Sequence, residues 1–490
     1  MSGNPPASLA IITDLGGTAR LYRRVTICAL PDNVLLEIFN FYVNHPAFDW
    51  PPDPDKENAW HRLVHVCRQW RHVVFASPRR LNLRLLCTNR TPMQNMLDVW
   101  PQLPIVVRPD PNHPLKSRPQ DTRNIIAALK LHNRVCEIDF CHWIPNLLLR
   151  KTGAITEPFP ALTHLKLQSL DKKAPHLPNS FLGGSAPHLR LLHMWGIPFP
   201  ALSILLSSTH DLVALHLSDI PHSGYISPEA MVISLSTLTR LQELTLQFRS
   251  PRSPADRANR HPLPITCVAL PALTSLFFKG DSEYLEVVVS RIDTPLLNHI
   301  TIRFFNQLLF DMPLLGHFIS RTETFKASNR AVVDFNDDCI ELRVSSRGSE
   351  LLKLWISCTP YDWQLSSIAQ VCGSCLSPLP NLERLEIFHS RESRRGGQLE
   401  DDIENLQWLE LLHPFTSVKQ LALYNNNKIV ILVARALQEL AGERVTDVLP
   451  ALQSLVLIRS LGSGPTKKAI AQFVATRQIS GHPVAILREY

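Results

Sequence analysis

The chain has 490 residues, room for two or three domains or one long repeat array, and 45% of them are hydrophobic, which supplies an ample core. Its net charge of +7 is thin for that length: it tolerates acidic partners and gives no reason to expect nucleic acid. No apolar run approaches the ~18 residues of a membrane span, and ten cysteines without a secretory signal read as reduced thiols in a cytoplasmic or nuclear protein.

Residues 1–24 start Met1-Ser2-Gly3-Asn4-Pro5-Pro6 and are expected to be a disordered leader. The next stretch, 25–80, reads as a small all-α unit. Pro31 and Asp32 suit a first helical turn, one by its missing N–H and the other by its charge. Val34, Leu35, Ile38, Phe39 and Tyr42 then share one helical face. A Pro/Asp-rich stretch, Asn44–Asn58, leads to a second predicted helix from Trp60 to Val74, whose Trp60, Leu63, Val64, Cys67, Trp70 and Val74 form a broad apolar face. Some 45 residues are too few to hide so many large groups, so another surface must cover them.

The order Leu30-Pro31, then Val34-Leu35-Leu36-Glu37-Ile38-Phe39, then Val66-Cys67-Arg68-Gln69-Trp70-Arg71 resembles the F-box. Ser77-Pro78-Arg79-Arg80-Leu81-Asn82-Leu83-Arg84-Leu85 is similar to a fungal subgroup of that family. The resemblance covers about a tenth of the chain, and Asn44–Asn58 is longer than the family's usual link. It implies that the surplus face docks a Skp-type adaptor and, through it, a cullin–RING ubiquitin ligase scaffold. The residues implied for that contact are Leu30, Pro31, Val34, Leu35, Ile38, Phe39, Trp60, Val64, Cys67 and Trp70.

Residues 81–134 read as an adapter that caps the N-terminal end of a repeat region. Leu81 to Leu85 alternates like a strand, Met93 to Trp100 is helix-compatible, Ile105-Val106-Val107 is a short apolar run, and Asp121 starts a helix. From 135 to 466 the spacing L-x-x-L-x-L recurs. Its copies begin at Leu162, Leu189, Leu212, Leu241, Leu273, Leu297, Leu351, Leu382, Val418 and Leu452, with a weaker first copy at Val135/Ile138/Phe140. The double interval between Leu297 and Leu351 predicts a degenerate copy near Thr322/Phe325/Ala327. Helix-compatible segments such as 198–209, 227–239, 283–292, 364–372, 403–412 and 429–440 separate the copies. This pattern resembles leucine-rich repeats. It implies an α/β fold in which a helical F-box-like unit precedes an irregular repeat solenoid, with 467–490 as the C-terminal cap.

In such a repeat, strand residues flanking the inward leucines line the concave, partner-binding face. The candidates for a protein substrate are Phe277, Lys279, Arg303, Lys326, Lys353, Trp355, Arg384, Phe388 and Tyr424, a mixture of cations and aromatics suited to an acidic or phosphorylated segment. Basic loops at 250–260 and 390–397 are further candidates. No catalytic motif, cofactor or metal is expected. Cys372-Gly373-Ser374-Cys375 lacks a second ligand pair, and Cys136, Cys141 and His142 lack a partner set. The expected function is therefore that of a non-enzymatic substrate receptor of a ubiquitin ligase; the alternative is a leucine-rich repeat interaction scaffold outside one.

Overall fold

The computed structural model describes residues 27, 30–44, 59–88, 100, 102–110, 119–141, 155–169, 177–251, 267–358, 361–376, 379–389, 405–424, 427–440, 442–458 and 464–489. The expected leader, the link after Asn44, the helix at Met93 and most of both basic loops lie outside them. The chain forms two compact units, Met1–Cys136 and Glu137–Tyr490. No helix among the described residues is long and apolar enough to cross a membrane.

In the first unit, helix α1 (Asp32–Asn44) is started by Pro31, whose carbonyl accepts from both Val34 and Leu35 N–H at 3.0 Å. The second predicted helix is two helices, α2 (Ala59–Val64) and α3 (Arg68–Ala76). The break falls at Cys67, which turns extended (φ −157°) and caps α3 by accepting the Trp70 N–H on its Sγ at 3.5 Å. The Arg71 Nε then donates to the free carbonyl of Val64 at 2.9 Å, so the interrupted backbone regains partners. Phe39 packs on Trp70 with ring centroids 4.7 Å apart, and Gln69 Nε2 donates to Asp32 at 3.1 Å, which ties α3 to α1. Trp60 is buried between Phe75 and Trp100, and its Nε1 donates to the Arg84 carbonyl at 3.2 Å. Two short parallel strands, β1 (Leu85–Cys87) and β2 (Ile105–Val107), and helix α4 (Pro119–Leu129) complete the unit.

The second unit is a mixed α/β array. Its strands β3 (Val135–Phe140), β4 (His164–Gln168), β5 (Leu191–Trp195), β6 (Ala214–Ile220) and β7 (Glu243–Phe248) are parallel neighbours. β8 (Val268–Ala269) leaves this sheet to pair with β10 (Ile292–Asp293), while β9 (Ser275–Gly280) and β11 (His299–Phe304) continue it in parallel. Alternation puts Leu165, Leu192, Leu215, Leu244, Leu276 and Ile300 in one register row facing the core. Helices α5 (Leu202–Ser207), α6 (Pro228–Leu235), α7 (Ser282–Val289) and α8 (Pro313–Arg321) return the chain between strands and bury most of their leucines and valines.

The expected degenerate copy at Thr322/Phe325/Ala327 is not a strand. Glu323–Lys326 forms a short helix, α9, with Phe325 in the core, and three strands follow it. These are β12 (Arg330–Phe335), β13 (Cys339–Ser346) and β14 (Ser349–Ser357), paired antiparallel in sequence. β14 joins β11 in parallel and β12 joins β15 (Arg384–His389) in parallel, so the sheet runs β11-β14-β13-β12-β15. The copy expected at Leu351 is accordingly displaced: Leu352 and Leu354, not Leu354 and Ile356, align with Ile300 and Ile302. Arg347 and Gly348, both at positive φ (+48° and +86°), make the two-residue turn of the β13–β14 hairpin.

Beyond the meander, helices α10 (Tyr361–Cys375), α11 (Asn405–Leu412) and α12 (Asn427–Gln438) alternate with parallel strands β15, β16 (Gln420–Tyr424) and β17 (Ser454–Ile458). The segment read as a cap is one more helix–strand pair, α13 (Pro465–Ile479) and β18 (Ala485–Glu489), with β18 parallel to β17. Arg477 of α13 is fully buried and donates to the carbonyls of Val445 and Leu449 at 3.0 and 2.6 Å.

Two helices approach with no room for a side chain at Gly316 of α8, where a Cβ would overlap the Ser374 carbonyl oxygen of α10. Gly316→Ala is therefore expected to destabilise the second unit by about 1–3 kcal/mol despite alanine's better helix propensity. Urea denaturation of wild type and variant measures this.

Candidate functional site

The first candidate surface is on α1. Its apolar arc is wide enough to serve two neighbouring faces. Leu35, Leu36 and Phe39 turn inward, whereas Val34 (39% exposed), Ile38 (41%), Phe41 (67%) and Tyr42 (45%) form a stripe in water beside exposed Pro31. Leu35, Phe39, Trp60 and Val64, four of the ten residues expected at the adaptor contact, are essentially fully buried within the unit. Counting i, i+4 repeats merges the two faces, because residues one position apart differ by only 100° around a helix. Leu30, Cys67 and Trp70 are half-buried. Phe41 joins the stripe although the sequence pattern does not assign it to the contact, and Val66, likewise unassigned, is exposed elsewhere in the unit.

The second is the sheet face opposite the core in the second unit. Register places Phe277 beside Thr301 and Thr301 beside Lys353; one row further, Lys279 lies beside Arg303 and Arg303 beside Trp355. Five of the nine substrate-contact candidates thus meet on β9, β11 and β14. The Arg303 guanidinium lies 5.2 Å and the Lys353 ammonium 4.5 Å from the Trp355 ring centroid, so Trp355 is flanked by cations. Burial, then the neighbouring Arg303 charge, lower the Lys279 pKa. Neither Lys279 nor Arg303 makes a direct ion pair among the described residues, although the Asp219 charge acts on Lys279, whereas Lys353 meets Glu341 at 3.1 Å.

Arg384, Phe388 and Tyr424 form a separate group across the two meander strands, with Phe388 and Tyr424 ring centroids 5.1 Å apart. Lys326 joins neither group, because it sits on α9 and pairs with Glu323 at 2.5 Å. The strand expected to carry it is replaced by the meander.

What holds the second group is Glu386, 1% exposed. Its carboxylate accepts Nε and Nη2 of Arg330 at 2.8 and 2.7 Å, Nε of Arg384 at 2.7 Å and the Tyr424 hydroxyl at 3.2 Å. Burial works to raise the Glu386 pKa, but the hydrogen bonds and charges of the two arginines outweigh it and hold the carboxyl below its usual range. Burial, then the Glu386 charge, push the Tyr424 hydroxyl up. Sequence reasoning missed this hub: Arg384-x-Glu386 is a visible same-face pair, but Arg330 stands 56 positions before Glu386 and reaches it through the meander.

On the earlier strands Lys166 lies 3.6 Å from Asp139, and His216, whose pKa burial lowers, lies 3.4 Å from Glu243. The C-x-x-C pair lies in α10 with both thiols fully buried and their pKa values raised by that burial, Cys375 also by Cys372. Cys141 is pushed up to about 12 by burial and then by Asp139; His142 lies outside the described residues. No group of three or more His, Cys, Asp or Glu suited to a metal occurs among the described residues.

No family model matches the chain, and no curated protein matches it. One similar solved structure is the leucine-rich repeat-containing protein LegL7 from Legionella pneumophila. It is 14% identical, with 68% of this chain and 94% of that one covered, at a TM-score of 0.25, which carries no argument. The long, mostly parallel sheet with intervening helices is by its own topology compatible with a leucine-rich repeat solenoid-like fold.

Because the folded-state pKa of Glu386 is depressed, its contribution to stability is present above the ordinary glutamate pKa and is lost as pH falls through the lower folded value. Glu386→Gln is expected to cost about 3 kcal/mol at pH 7, since it leaves two guanidiniums around an uncharged group. The gap to wild type should close progressively below about pH 4.5. Denaturation midpoints of both proteins across pH 3–7 check the sign.

Proposed function

We propose that this protein is the substrate-receptor subunit of an SCF-type cullin–RING ubiquitin ligase. The observation that carries the reading is the water-facing stripe Val34–Ile38–Phe41–Tyr42 beside Pro31, on a helix whose sequence resembles the first helix of the F-box. Large apolar groups in that arrangement lose about 1.5–3 kcal/mol each by remaining exposed, and a Skp-type adaptor is the partner that the resemblance supplies. Leu35, Phe39, Trp60 and Val64 hold the stripe in place from the core. The target protein would meet the open sheet face, where Phe277, Lys279, Arg303, Lys353 and Trp355 combine cations with aromatics. The chain contributes no catalytic group to this function. It raises the effective concentration of the target's lysines near a ubiquitin-loaded enzyme carried by the scaffold.

Co-expression with a Skp-type adaptor, followed by size-exclusion chromatography, tests the reading. The wild type is expected to elute as a one-to-one complex. Val34→Asp combined with Ile38→Asp should release the adaptor while circular dichroism and melting temperature stay near wild type, because both side chains lie at the surface and neither belongs to the core. Adaptor eluting apart from a folded wild-type chain would replace the receptor with an interaction scaffold outside a ligase, and adaptor bound equally to the variant would overturn the α1 stripe as its contact.

A further inference from the structure

At the edge where β12, β15, β16 and β17 begin, the sheet and the Arg347–Gly348 turn enclose a cleft of about 500 Å³. Arg347, Arg330, Arg384 and Lys419 line it, with Glu383 as the lining carboxylate. These cations stand on successive positions of the sheet: the β13–β14 turn, then β12, β15 and the residue ahead of β16. Strands lie about 4.8 Å apart, so the row spans roughly 15 Å.

Its charges are only partly compensated. Lys419 is paired with Glu383 at 2.6 Å. Arg330 and Arg384 share the single buried carboxylate of Glu386, which fixes both guanidiniums and leaves N–H groups of each unused among the described residues. Arg347 has no ion pair or hydrogen bond among the described residues, although it occupies a left-handed position where asparagine is the usual residue. With Glu386 counted beside Glu383, the cleft holds two more cations than carboxylates, and three of its four cations, Arg330, Arg384 and Lys419, are held in place before any ligand arrives. A smaller cleft of about 280 Å³ shares Arg330, Ser345 and Gly348 with it and is walled by Val332, Phe388 and Tyr424.

The geometry points to a binding site for an extended acidic protein segment that runs across the strands along this edge. Alternate residues of an extended chain are about 6.8 Å apart, so three acidic side chains at every second position span about 14 Å and match the cation row. Guanidiniums receive carboxylates in two-pronged fashion, and the aromatic wall takes an apolar residue beside the acidic run. A row of this length suits separate carboxylates better than one compact dianion. The site rests on the proposed target-recognition function and deepens it. Its assay contains no adaptor, so failure of adaptor binding and failure of this site are separate results.

The probe is a capped, dye-labelled Gly-Glu-Gly-Glu-Gly-Glu-Gly-Phe peptide, with the glutamine counterpart as control, titrated into the full chain by fluorescence anisotropy. The acidic peptide is expected to bind at least about tenfold more tightly than the control and to weaken as salt rises. Arg347→Asn should keep the turn and the melting temperature, since Asn-Gly is the favoured pair there, while weakening the acidic peptide about fivefold or more. Equal binding of the two peptides, or undiminished binding by Arg347→Asn, would overturn the site. Tighter binding of a peptide with one phosphoserine in place of the three glutamates would overturn the extended acidic segment in favour of a compact dianion.

Discussion

Strand alternation in a parallel register is the constraint on which the second unit depends. Each strand sends every second side chain into the core, so Leu165, Leu192, Leu215, Leu244, Leu276 and Ile300 stack as one row although they come from six separate stretches of chain. The same rule fixes the opposite face. Lys279, Arg303 and Trp355 are neighbours because the residues around them are locked inside, and a slip of one position in any strand would exchange leucine for cation.

The meander inserts a local exception. Its strands β12 and β13 carry Arg330, Glu341 and Arg343 into the middle of the face, and there the charges are close enough to compensate one another. The face is divided as a result. On one side Lys279 lies over the Phe305 ring and Arg303 over the Trp355 ring, and on the other a buried carboxylate organises two arginines and a tyrosine. Desolvating Glu386 would be costly alone; with charged donors on both of its oxygens it becomes a rigid base for Arg330 and Arg384.

Most of the strand ladder was legible because leucine spacing is set by what must be buried, and burial is common to every copy. The α2–α3 break was not, since cysteine is a weak acceptor and an uncommon cap, and the apolar face runs across it without interruption. The meander left a readable trace in Ile340, Leu342 and Val344, then Arg347-Gly348, then Leu352, Leu354 and Ile356: two alternating runs around a two-residue turn. The L-x-x-L-x-L match at Leu351 competed with that trace and put the repeat two residues out of register. For the candidate surfaces, sequence identified the residue types and most of the β9–β11–β14 cluster. It did not separate the exposed half of the α1 arc from the buried half, nor place Arg330 beside Glu386. Both depend on neighbours distant in the chain.

The hairpin turn at Arg347–Gly348 also bears on how such an array can grow. β14 and β12 run in the same direction, because the chain reverses once on entering β13 and again on leaving it. The sheet therefore accepts two additional strands without changing the sense of anything on either side, and β11 and β15 each still find a parallel neighbour. For strands added antiparallel in sequence, even-numbered additions preserve polarity and odd-numbered ones do not. A paired insertion is thus an evolutionary step that a repeat array tolerates at any rung, widening its surface by about 10 Å and giving it side chains that no repeat motif prescribes.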